Sequence, residues 1–101
     1  MTREELEEAV NSAVLSASES GRLLEDENVG SLLLSVVETV AQERRFRPWS
    51  PQLRDDMKEE AVLKLYRTAL PAWCLERGWP WVFLTIAVRK SFLTTAKRYC
   101  I

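Results

Sequence analysis

A chain of 101 residues holds one domain with a single modest core. With 47% hydrophobic and 29% charged residues it is not a disordered or low-complexity chain. It has no histidine, which removes the commonest general base and metal ligand and weighs against an enzyme, and its net charge of −1 hides a division: residues 1–44 carry ten acids against three arginines, residues 45–101 eleven bases against five acids.

In chain order, Thr2-Arg3-Glu4-Glu5 is a capping box opening a first helix. Leu6, Val10, Ala13, Val14 and Ala17 recur at helical spacing up to a stop at Ser20-Gly21. This stripe is thin and alanine-rich, so the helix is expected to pack lightly. Residues 22–30 read as a polar connection closing on Asn28 and Gly30. Leu33, Val36, Val37, Val40 and Ala41 then form the stripe of a second helix, and the extra Leu32 and Leu34 predict burial on more than one face.

Phe46-Arg47-Pro48-Trp49-Ser50-Pro51 reads as an extended linker, stiffened by its prolines and pinned to the core by Phe46 and Trp49. Ser50-Pro51 is a cap and first-turn pair for a third helix, with Leu53, Met57, Ala61, Leu65 and Ala69 on one face, which Pro71 should stop. After a loop, Pro80 opens a last helix whose stripe is Trp81, Leu84, Val88 and Phe92, followed by Thr95 or Ala96. The fold class expected is all-α, a small bundle of about four helices. Residues 1–30 form a peripheral acidic helix and linker, and residues 31–101 the helical domain proper.

No apolar stretch is long enough for a bilayer, and the first residues do not form a signal peptide. Cys74 and Cys100 lack metal-ligand spacing, so neither metal nor cofactor is expected. The basic half could meet nucleic acid or an acidic protein surface; equally, the two halves could neutralise each other on a solvated surface.

Several anchored points occur in a fixed order: Asp56-Met57 opening a helix, Pro80-Trp81-Val82-Phe83-Leu84-Thr85, Phe92-Leu93, and Lys97-Arg98. Over about residues 31–99 this pattern resembles the promoter-binding region 2 of bacterial sigma factors. It is most similar to the short late-transcription sigma factors of large tailed bacteriophages. The resemblance implies two surfaces and a place of action in the bacterial host cytoplasm. Asp56, Glu59, Glu60 and Tyr66 would bind the clamp helices of the largest RNA polymerase subunit. Arg77, Trp79, Trp81, Phe83, Arg89, Lys90, Lys97 and Arg98 would engage the non-template strand of the promoter −10 element, aromatics by stacking and bases on phosphates.

Each assignment has a plainer counterpart. The acids could simply suit the positive end of the helix dipole, and Trp81 shares a stripe with Leu84, Val88 and Phe92, which makes it a core candidate. Trp79 is the better exposed candidate. The chain departs from the family pattern at Ala69-Leu70-Pro71-Ala72-Trp73-Cys74, where those factors usually have Asn-Phe-Asp-Pro, and at Ala87-Val88, where many primary sigma factors place an aromatic pair. These departures open an alternative: an inhibitor that occupies the host sigma docking site without opening DNA. The resemblance also implies a C-terminal segment gripping the polymerase flap. None follows Lys97-Arg98, so a second phage protein is expected to supply that contact.

Overall fold

The computed structural model describes residues 2–99, and within them the fold is all-α. Met1, Cys100 and Ile101 lie outside the described residues, Cys100 of the cysteine pair among them. Helix α1 spans Arg3–Glu19 and α2 Glu27–Ala41. Helix α3 begins as Pro51–Lys64 and continues through a π-helical turn, Leu65–Ala69, into a last α-helical turn, Leu70–Ala72. A 3₁₀ turn at Leu75–Arg77 leads to α4, Pro80–Tyr99. No helix among the described residues is long and apolar enough to cross a membrane.

Local chemistry explains the helix ends. The Thr2 hydroxyl accepts from the Glu5 amide at 3.2 Å. At the other end of α1, Gly21 takes φ +71°, and the amides of Gly21 and Arg22 donate back to Ser18 and Ala17, closing a Schellman motif. Helix α2 starts earlier than residues 22–30 suggested. Asp26 is its cap, its carboxylate accepting from the Val29 amide at 3.0 Å, so Asn28 and Gly30 are helical. A Cβ at Gly30 would stand 2.8 Å from the Tyr66 hydroxyl, the tip of a partly exposed side chain that lies over it. Ser50 caps α3 with Pro51 in its first turn, as the sequence predicts.

The segment between α2 and α3 is a chain of turns and not the extended linker expected. The Glu43 carbonyl accepts from the amides of Phe46 and Arg47, the Phe46 carbonyl from that of Trp49, and Phe46 anchors the coil. Its ring is fully buried and meets Trp49 and Phe92 edge-on, with centroids 5.1 and 5.0 Å away. Its carbonyl accepts from the Arg54 guanidinium at 2.7 Å.

One core collects the buried faces of all four helices. Leu6, Val10, Val14 and Ala17 bring α1 into it, so the light packing expected of that helix gives way to close contact, made possible by its small side chains. Leu34, expected to be buried, is 55% exposed and sits in a shallow apolar groove between α2 and α3 with Val37, Val62 and Leu63. Nor does Pro71 stop α3 outright. Proline has no N–H and its ring crowds the carbonyl four residues back. The π turn, in which the Leu70 amide reaches the Leu65 carbonyl, widens the helix just ahead of it and lets one more turn form.

Candidate functional site

Helices α3 and α4 lie antiparallel, with Glu60 beside Arg98 near one end and Ala69 beside Ala87 further along. Burying Met57, Ala61 and Leu65 turns the opposite side of α3 to solvent. Glu59 is exposed there, Asp56 and Glu60 are half-buried, and Tyr66 lies further along with its hydroxyl over Gly30. The acids do not stand alone: Asp56, Glu59 and Glu60 share a shallow depression with Leu63, Arg98 and Tyr99. Arg98 Nη1 is 3.8 Å from Glu60 Oε1, so a residue expected on phosphate lies beside one expected on polymerase. Arg98 is well solvated and Glu60 half-buried at the surface, and such a long pair contributes little to stability.

Helix α4 carries four bases and no acid. The structure divides the residues expected to bind DNA. Trp81 is 5% exposed and belongs to the core, so its ring is closed to a base; this corrects its place among the stacking candidates. Phe83 is half-buried against the same core. Arg89 is held by Glu43, 46 residues earlier, its Nε and Nη2 donating to both carboxylate oxygens at 2.8–3.2 Å. This forked pair ties α4 to the end of α2 and occupies the guanidinium. Arg77, Lys90 and Lys97 are exposed.

Trp79 is 59% exposed. It immediately precedes the first turn of α4, its carbonyl accepting from the Phe83 amide. Gly78, at φ +101°, makes the sharp turn before it, and the Gly78 carbonyl accepts from the buried Trp73 indole at 3.1 Å. From Trp79 an outward strip runs along α4 through Val82, Ile86, Lys90, Leu93 and Lys97, each three or four residues from the last. Val82 and Leu93 stand in the anchored motifs with no role assigned to them, and Ile86 stands outside those motifs, although the spacing of the three marks a second apolar strip offset from the core stripe.

Asn11 is the other residue the sequence did not flag. Its side-chain oxygen accepts from the Trp81 amide at 2.8 Å, capping α4 from a helix 70 residues away, where the local residue Trp79 has no acceptor to offer. Asn11 also lines a depression with Glu7, Glu8, Leu15, Trp79 and Val82, which places acids of α1 next to the exposed indole. Asn11→Ala should cost about 1 kcal/mol in urea unfolding, the usual worth of a helix cap. No measurable loss would mean that water replaces the amide acceptor at no cost.

Among the described residues, no three of cysteine, aspartate or glutamate gather to hold a metal ion. Cys74 is exposed and free. Scanned against family models, curated proteins and solved structures, the chain matches none.

Proposed function

We propose that this protein is a phage-encoded, sigma-like transcription factor acting in the bacterial host cytoplasm. In this reading α3 docks on the clamp helices of the largest RNA polymerase subunit, through Asp56, Glu59, Glu60 and Tyr66. Helix α4 and the turn before it engage the non-template strand of a promoter −10 element for late-gene transcription. The observation that carries the reading is a two-signed surface on adjoining helices: solvent-facing acids on α3, and on α4 an acid-free basic strip headed by an exposed tryptophan. Acids three and four residues apart suit a basic helical partner. An exposed indole followed by lysines suits an unpaired strand, which needs a stacking platform and cations for its phosphates.

The experiment is strand opening. Core polymerase with this protein should open an AT-rich −10-like duplex, read by base reactivity in the bubble. Trp79→Ala should reduce opening about fivefold to a hundredfold, the worth of one stacked base, with polymerase affinity unchanged. Equal loss of both would make Trp79 structural and remove it from the DNA surface.

Three observations favour the second reading, a polymerase-binding inhibitor: Trp81 is buried, Arg89 is occupied by Glu43, and Glu7 and Glu8 stand beside Trp79. Each subtracts from the strand-binding surface and leaves α3 untouched. A duplex that stays closed while host-sigma transcription is blocked would decide for the inhibitor.

A further inference from the structure

Between the π turn of α3 and the middle of α4 lies a depression that no residue of the proposed polymerase contact lines. Lys64 and Thr68 face it from α3, and Lys90, Ser91 and Thr94 from α4. No acid lines it. Two lysines thus flank one hollow from facing helices, so an anion seated there would have a cationic side chain on either side.

The hydroxyls sharpen the point. Thr94 donates to the Lys90 carbonyl at 2.9 Å and is spent. Ser91 is 2% exposed, and its hydroxyl has no hydrogen-bond partner. A buried helical serine ordinarily donates to the carbonyl one turn back, and an unpaired buried hydroxyl costs stability. Ser91 lines the hollow that the two lysines flank, and an unspent hydroxyl donor is what an oxyanion site uses.

We propose that this hollow is a phosphate site, with Lys64 and Lys90 as cations and Ser91 as the hydroxyl donor, and that it takes one phosphate of a nucleic-acid strand. The choice of a strand as the source rests on the DNA half of the proposed function. Lys90 also belongs to the outward strip of α4, about 16 Å along the helix from Trp79. A strand stacked on the indole and running along α4 would bring a later phosphate over the hollow.

The test measures binding of a short oligothymidylate to the full chain by fluorescence anisotropy across a salt series. Lys64→Gln and Lys90→Gln should each lower the slope of log affinity against log salt by about 0.7, one single-strand phosphate contact. The double variant should lose less than the sum, because both lysines act on one phosphate. Lys58→Gln, whose ammonium pairs with Glu38 on the far side of α3, should leave the slope unchanged. Ser91→Ala should weaken binding about two- to tenfold while its melting temperature stays level or rises, since it deletes an unpaired hydroxyl.

Unchanged slopes in both lysine variants would overturn the site, and a Trp79→Ala loss in the same assay would leave the DNA reading standing. If the parent chain binds no oligothymidylate, the DNA half of the proposed function fails. Titration with inorganic phosphate, followed by amide NMR shifts at Lys64, Lys90 and Ser91, then decides the site alone. Saturating shifts that vanish in the double lysine variant keep it as a free-phosphate site; their absence overturns it.

Discussion

Phe46→Ala should cost about 3–5 kcal/mol, the usual loss when a buried phenylalanine is cut to alanine. For a domain of this size that is a fall in melting temperature of about 15–30 °C. The effect is large because Phe46 is fully buried where three elements converge. It holds the turn segment after α2 against Phe92 of α4 and Trp49 before α3, and its carbonyl receives Arg54. The cavity could collapse only by moving a turn segment already fixed by its own hydrogen bonds. Phe46→Leu should lose less, since most of the volume remains. Urea unfolding followed by circular dichroism measures both, and a cost below about 1 kcal/mol for the alanine variant would show that the segment is not anchored there.

The second large effect is functional. Glu59→Lys should lower affinity for core RNA polymerase about a hundredfold or more, because a charge reversal at a complementary interface replaces attraction with like-charge contact. Glu59 is the cleanest probe of the acid face. It is exposed and makes no ion pair among the described residues, so stability should stay within about 0.5 kcal/mol of the parent. Glu60→Lys is less clean, since it places a second cation beside Arg98, and Arg98→Ala is its control. Pull-down with purified core polymerase reads the outcome. Unchanged capture by Glu59→Lys would remove α3 as the docking helix and with it both the sigma-like and the inhibitor readings.

Features set by neighbours in sequence were legible before the structure. The Thr2 and Ser50 caps, the stripe of α1 and the burial of Trp81 all follow from spacing alone. What escaped was set by partners far along the chain. Gly30 reads as a helix breaker, yet it sits within α2 beneath a tyrosine 36 residues later, where tertiary packing outweighs propensity. Prolines 48 and 51 suggest extended backbone, but burying Phe46 draws the segment into turns. The candidate site divides the same way. Exposure of Trp79 follows from its place before Pro80, whereas the capture of Arg89 by Glu43 and the capping of Trp81 by Asn11 join residues 46 and 70 apart. No local pattern could announce either.

The π turn also governs which way the end of α3 points. Residues seven apart in an uninterrupted α-helix lie on nearly the same side. Leu70 should therefore look outward with Leu63, yet it is sealed in the interior while Leu63 is open to water. The surplus residue supplies the missing rotation, about 100°. The helix thus carries one residue more than a regular spiral could use. Removing the exposed Thr68 would leave Leu70 four places after Leu65, still facing inward on an ordinary turn. A deletion there keeps Leu70 inside but brings back the crowding of the Pro71 ring that the wide turn relieves, whereas one taken from residues 58–60 would rotate Ala61 by about 100° relative to Met57.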